Sequence, residues 1–306
     1  MFDEIEPGIR RITLPLPSGP RHVHCYLLEG ETGWMLVDAG LGVGDRPPWE
    51  RLPALAAIAI THFHPDHVGG AERVAAATGA AVHQGALDYA QCERVWGTPD
   101  WPDRIAAWFV RNGVPQPVAD ELIRQGHAYA PFIRYARDPR WLREGDFVDG
   151  WQVVELPGHA DGHLGLVRDG VLVAGDHLLP QITPAVGLYP DSRPDPLGDY
   201  LASLEKTAAL GARLALPGHG EPIRDPAARA HEIVAHHAAR LDETEAALDA
   251  RPQSGYEVSL AVFGRDLAPA QRRFAVAETL SHLERLVVLG RAARREDVET
   301  IAYTGS

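Results

Sequence analysis

The chain has 306 residues, 45% of them apolar, enough to bury a sizeable core in one large domain with a smaller companion. Its formal charge is −13 and Lys206 is its single lysine, so its long-range field opposes wholesale binding of a polyphosphate backbone. Two cysteines, Cys25 and Cys92, rule out a disulfide framework, no run of 18 apolar residues offers a membrane span, and the acidic start "MFDEIEPGIRR" has no apolar signal region, so a cytoplasmic chain is expected.

Short strands come first, in "RHVHCYLLEG" and in "GWMLVDAG", the latter ending on Asp38-Ala-Gly. "LAAIAIT" is a further apolar run that delivers the chain into "HFHPDH", His62 to His67. "GGAERVAAATG" has helical periodicity with a glycine stop at Gly79, and "AAVHQG" is a strand after it. The histidine cluster thus lies on a loop at a strand's C-terminal end, where layered α/β folds place ligands. From Asp88 to Arg143 the pattern changes to helical segments of an insertion carrying Trp96, Trp101, Trp108, Phe109, Tyr129, Phe132, Tyr135 and Trp141. Most of these aromatics are expected to pack the insertion, a few to wall a substrate pocket. Strands return in "FVDGWQVVELPGHADGHLGLV" and "GVLVAGDHLL". A helix follows in "DPLGDYLASLEKTAALG" and a strand in "ARLALPGHG". From Pro226 helices dominate, beginning with a long one to Ala250.

Ligand-type residues recur where these strands end: His62, His64, Asp66 and His67 in one loop, then His159 in "PGHADGH", Asp176 in "AGDH" and His219 in "PGHG". A parallel or mixed sheet brings such ends to one rim. Neutral imidazole and carboxylate suit zinc, and also iron or manganese. His62 and His64, two apart, can face one metal ion; Asp66 and His67, beyond the turn at Pro65, can face a second. His177 has a substrate-contacting and a structural reading of equal weight. His22, His24, His83, His127, His231, His236, His237 and His282 lack such a context and read as surface or core residues.

With H-x-H-x-D-H followed by distant His, Asp and His, Phe2 to Asp225 resembles the metallo-β-lactamase superfamily. That resemblance implies an αββα sandwich and two divalent metal ions, zinc first and iron or manganese as alternatives. It implies that His62, His64 and His159 hold one ion, that Asp66, His67 and His219 hold the other, and that Asp176 bridges them. Asp38 would orient a ligand histidine, and His163 in "GHADGH" occupies the place of a supporting catalytic histidine. Asp66 would hold an ion and pass a proton. An aspartate rather than a cysteine at 176, and the Asp66-His67 pair, set the chain apart from the best-known antibiotic-hydrolysing subclass. The complete second ligand set argues against single-iron persulfide dioxygenases, and no stretch resembles the β-CASP insertion of nucleic-acid-processing members.

Residues 226–306 resemble the small, mostly helical winged-helix-like domain of the glyoxalase II and lactamase-beta-2-like branch, which contains an endoribonuclease and enzymes releasing polyketides from carrier-protein thioesters. The chain is therefore expected to divide into a catalytic domain, 1–225, with the 88–143 insertion, and a C-terminal domain, 226–306, in which "GRAARREDVETIAYTGS" forms the wing. This tail holds 10 arginines and 12 acidic residues, a net charge of −2. Arg272, Arg273, Arg291, Arg294 and Arg295 offer a local basic patch, but the charge favours a roof over the site or a homodimer contact. The leading expectation is a dinuclear hydrolase whose bridging hydroxide attacks the carbonyl of a small-molecule ester or thioester. A metal-dependent endoribonuclease or phosphodiesterase, a lactonase and a non-enzymatic regulator are the alternatives.

Overall fold

The computed structural model describes residues 2–17, 19–42, 48–127 and 130–305. Tyr129 of the aromatic set lies outside them, as does the side chain of His127. The residues group into two compact units that interleave along the chain: 1–97, 129–184 and 206–230 in one, 98–128, 185–205 and 231–306 in the other.

The first unit holds two sheets. Seven strands, β1 (Phe2–Glu6), β2 (Ile9–Pro15), β3 (His22–Glu29), β4 (Trp34–Val37), β5 (Leu55–Ala59), β6 (Val82–Gly85) and β7 (Arg140–Leu142), lie side by side in chain order. β1 to β4 pair antiparallel and β4 to β7 parallel. The second sheet holds β8 (Phe147–Val148), β9 (Trp151–Glu155), β10 (Leu164–Arg168), β11 (Val171–Gly175) and β12 (Leu214–Pro217) in the order β12-β11-β10-β9-β8. β11 and β12 are parallel and the other neighbours antiparallel, so β9, β11 and β12 all run the same way.

Side-chain alternation decides what each face of the first sheet covers. Tyr26, Leu28, Met35, Val37, Ala57 and Ala59 point into a core shared with Trp151, Val153, Leu164, Leu166, Val173 and Leu216 of the second sheet. The intervening Cys25, Leu27, Leu36 and Ile58 point the other way. There they pack with Val68, Val74 and Cys92 of α1 (Pro65–Val68), α2 (Ala71–Thr78) and α3 (Ala86–Val95). This is sheet-on-sheet packing with helices outside the first sheet. β11 is buried along its whole length, as a strand covered on both faces must be. Both cysteines are reduced and buried, in agreement with the sequence.

Backbone hydrogen bonds tie the two sheets together at one rim: His24 N–H donates to Gly218 O at 2.7 Å, and Leu164 N–H to Thr61 O at 2.8 Å. The Tyr26 hydroxyl adds a buried bond to Pro217 O at 2.7 Å.

The second unit contains α4 (Trp101–Arg111), α5 (Gln116–His127), the N-terminal part of α6 (Pro196–Ala209), most of α7 (Pro226–Ala246), α8 (Gly255–Phe263) and α9 (Pro269–Val288). A small sheet, β13 (Gln253–Ser254), β14 (Ala292–Glu296) and β15 (Ile301–Gly305), has the order β13-β15-β14. α8 starts with a capping box, Ser254 and Glu257 satisfying each other's backbone N–H. α5 packs on α9 in this unit, and Tyr256 N–H at the start of α8 bonds to Asn112 O just after α4.

Three local expectations change and one holds. β1 and β2 were not expected, because "FDEIE" and "IRRITLP" mix charge into their alternation. The segment at 140–142 is a strand, not part of a helical insertion, since it completes the parallel edge beside β6. α7 ends at Ala246 rather than Ala250, because the Gln253 side-chain amide donates to Ala247 O just past its last turn. The tail does form a hairpin, β14 with β15.

Candidate metal centre

Every ligand-type residue singled out in the sequence follows a strand at the stitched rim. Asp38 follows β4, His62 follows β5, His159 follows β9, Asp176 follows β11 and His219 follows β12. Pro65 at the first position of α1 turns the chain within one residue of His64, and Asp66 and His67 ride on that single turn. Three groups of ligand atoms, each within 4.8 Å, result: His62, His64 and His159; His62, His67 and Asp176; Asp66, His67 and His219. Asp176 lies 3.2 Å from His219, 3.4 Å from His67 and 3.8 Å from His159. It touches histidines of the first and third groups alike.

Hydrogen-bond partners fix which ring nitrogens carry protons. The Asp38 carboxylate, which can only accept, takes Thr61 N–H at 2.8 Å, the Thr61 hydroxyl at 2.9 Å and His67 Nδ1–H at 2.8 Å. The Thr61 oxygen then accepts from His62 Nδ1–H at 3.0 Å. On the other side, His219 Nδ1–H donates to the His22 carbonyl at 2.6 Å. In their neutral forms His62, His67 and His219 therefore keep the proton on Nδ1 and turn Nε2 to the interior of the site. This is how ligand histidines are prepared for a metal.

The inner atoms crowd together at close to the spacing of ligands around one ion. His62 Nε2 and His159 Nε2 lie 3.0 and 2.9 Å from His64 Nδ1. Tetrahedral zinc with Zn–N near 2.0–2.1 Å would separate its nitrogens by about 3.3 Å. His67 Nε2 and Asp176 Oδ1, both buried, have no hydrogen-bond partner. Burial, then the neighbouring histidines, pushes His62 far below the usual imidazole range and His64 to about 3. His67 and His219 go the other way. Burial opposes their charge, but Asp176 and its fellow carboxylates outweigh it, raising His67 strongly and His219 to about 10. The same coupling holds Asp176 well below the usual carboxylate range despite its burial. Positive charge is what this end of the site demands.

Backbone shape matters as much. Asp38 has φ 62°, a left-handed conformation costing a non-glycine residue about 1–3 kcal/mol, tolerated because its three donors hold it there. At Gly218 a Cβ would lie 2.4 Å from Asp176 Oδ1 and 2.6 Å from the His67 ring, so a side chain would displace both.

His163 is fully buried, its ring stacked 4.9 Å from that of His62, and neither of its nitrogens has a hydrogen-bond partner. His177 is fully buried and bonds Thr207 at 2.7 Å, which favours its structural reading. Of the histidines set aside, His24 is buried beside Thr13, but His22 supplies the carbonyl that orients His219. Asp88, whose carboxylate accepts Phe63 N–H at 2.8 Å, was not singled out, and Trp96, named only among the insertion aromatics, donates its Nε1–H to Phe63 O at 2.9 Å. The signal available for Asp88 was a carboxylate one turn ahead of Cys92 on the buried face of α3, where an apolar residue belongs.

Residues 18–219 match the family model described as "Metallo-beta-lactamase superfamily", and residues 241–304 the model "Metallo-beta-lactamase-like, C-terminal domain". A solved metallo-beta-lactamase family protein from Thermus thermophilus, TTHA1429, is 33% identical with a TM-score of 0.83, covering 99% of this chain and 100% of its own. The probable metallo-hydrolase YqjP of Bacillus subtilis (strain 168) is 28% identical over 89% of this chain and 90% of its own length. A hydroxyacylglutathione hydrolase of Alkalilimnicola ehrlichii is 31% identical over 58% of this chain and 56% of its own. Among the described residues no helix is long and apolar enough to cross a membrane. A rim of buried imidazoles and carboxylates at the strand ends of a two-sheet sandwich, with these matches over both parts of the chain, makes this chain a metallo-hydrolase of the metallo-beta-lactamase superfamily.

Proposed function

We propose that the chain holds two divalent metal ions, zinc first, and hydrolyses a small-molecule ester or thioester. The observation carrying this reading is that His62, His67 and His219 all turn Nε2 inward, the latter two onto the Asp176 carboxylate at 3.4 and 3.2 Å. On this reading His62, His64 and His159 hold one ion, Asp66, His67 and His219 the other, and Asp176 touches both. Bound there, the ions would supply Lewis acidity, lowering the pKa of water and polarising a carbonyl oxygen. The protein's own residues do the rest. Asp38 and the His22 carbonyl keep the ligand rings in the required tautomer, and His163 backs the His62 ring. Asp66, with 18% of its side chain exposed, is the carboxylate of the cluster best placed to take a proton from the attacking water and pass it to a leaving thiolate or alkoxide.

The ester or thioester preference rests on the hydroxyacylglutathione hydrolase relative, whose named substrate is a thioester, and on the arginines of the C-terminal part. Arg272 donates to Ser259 and Gly264, Arg291 pairs with Asp242 and Glu245, and Arg294 with Glu284 and Glu296. Three of the five residues of the basic patch are thus already engaged within their own unit, which weakens the endoribonuclease reading. We propose that residues 226–306 form a winged-helix-like domain that serves packing or self-association as a homodimer rather than nucleic-acid binding. The test is a parallel turnover assay of zinc- or manganese-loaded protein on an acyl thioester and on labelled single-stranded RNA, with His64→Ala as control. Thioester turnover that the variant lacks supports the reading; RNA cleavage with the thioester untouched overturns it.

A further inference from the structure

We propose that Asp88 is a positioning residue that sets the spacing of His62 and His64 through the backbone of Phe63, an inference resting on the metal-centre reading above. Phe63 is the residue between the two histidines, and both of its main-chain polar groups are pinned from α3 and the residue after it. Asp88 Oδ1 accepts its N–H at 2.8 Å, and Trp96 Nε1–H donates to its carbonyl at 2.9 Å. An aspartate in the first turn of a helix ordinarily serves that helix's own N–H groups. Here the N-cap, Gly85, offers no side chain, and Asp88 reaches across to another segment.

The carboxylate is itself held. Asp88 and Gln84 are both fully buried, and Gln84 Nε2–H donates to Asp88 Oδ2 at 2.6 Å. The same turn abuts the loop that carries His159 and His163. A Cβ at Gly162 would lie 2.3 Å from Asp88 N and 2.7 Å from its Cα, and one at Gly85 would touch Gly162 O at 3.4 Å. The start of α3 is therefore a common abutment for the segments bearing His62, His64 and His159, the three histidines grouped around one ion. Fixing Phe63 fixes the angle at which its two neighbours present their rings.

The experiment compares wild type with Asp88→Ala, Asp88→Asn and Trp96→Phe by two readouts. One is the affinity of each of two zinc equivalents, by competition with a chromophoric chelator. The other is hydrogen exchange of the Phe63 amide in metal-free protein. For Asp88→Ala we expect one equivalent to weaken by about 10–100-fold with the other little changed, and Phe63 exchange to accelerate. Asp88→Asn should stay close to wild type, because its carbonyl still accepts Phe63 N–H and the Gln84 amide can turn its partnerless oxygen to meet it. Trp96→Phe should weaken the same equivalent by a smaller factor, and it carries the test if Asp88→Ala does not fold. Unchanged Phe63 exchange and zinc affinity overturn the proposal. So does an equal loss of both equivalents with a matching fall in metal-free Tm, which is what a merely structural residue would give. If wild type binds no zinc while Phe63 exchange still responds to Asp88→Ala, the metal reading fails and the anchoring of this loop stands.

Discussion

The protein contains two clusters of buried imidazoles, and they solve burial in opposite ways. On α7 and α9, His282 Nδ1–H donates to Glu278 O at 2.8 Å, and His237 Nδ1–H donates to His282 Nε2 at 3.2 Å. This chain of neutral rings accounts for its own protons, and burial holds His237 near 3 and His282 near 4. At the rim, Nδ1 protons are handed outward to Asp38, Thr61 and the His22 carbonyl, and the inner nitrogens face carboxylates. There His67 and His219 are raised instead. A histidine cluster by itself therefore says little. What separates a metal centre from a packed core is where the second nitrogen of each ring sends its proton, and whether carboxylates share the inside.

The largest effect should come from breaking the rim directly. His64→Ala removes the nitrogen on which His62 and His159 converge, so kcat/KM should fall by more than the roughly 10–100-fold typical of orienting residues, with metal content reduced by elemental analysis. An active variant with full metal content would sink the assignment. Next, Asp38→Asn replaces an acceptor-only group by one with an N–H2 facing its donors, and metal affinity should drop by about 10–100-fold.

Two pH measurements sharpen the contrast. His67 and His219 have folded pKa values above the ordinary imidazole value, so at pH 8 the metal-free site carries protons that loading must expel. Calorimetry in buffers of different ionisation heat should show proton release, with loading weakening as pH falls; zero release would contradict the raised pKa values of His67 and His219. For His237 and His282 the sign reverses, because their folded values lie below the unfolded one. Their contribution to stability is complete above about pH 6.5 and is lost as pH falls toward 4. Urea midpoints at pH 7.5 and 5 should show that slope, and His282→Gln should make it shallower, not flat, without altering metal content, because His62, His64 and His177 are lowered in the same direction. A variant with the full slope would refute the account. The smallest change is expected from Arg291→Ala, whose pairs with Asp242 and Glu245 are screened by solvent, so the thermal unfolding midpoint should barely move.

The candidate site was legible because each of its members lies in a short motif directly after an apolar strand, where sequence distance and function coincide. Asp88 acts through a backbone amide 25 positions away, and His22 through a carbonyl, which has no side-chain signature. Neither leaves a local pattern. The same holds for fold: β3 to β6 announce themselves by apolar runs, whereas β7 is three residues long and exists only because β6 offers an edge. That α4 and α5 pack with the C-terminal helices is equally a matter of contacts between distant stretches, invisible to periodicity.

The main-chain bonds that join His24 to Gly218 and Thr61 to Leu164 have a consequence for how this protein tolerates change. A bond between peptide groups has no side chain to lose, so substitutions at its donors His24 and Leu164 other than proline leave it standing, whereas the acceptor Gly218 has no room for a Cβ. The frame beneath the site is thus written largely in the main chain, which most side-chain changes leave intact. Side chains around the rim are free to drift toward new substrates while the strand ends stay where they are.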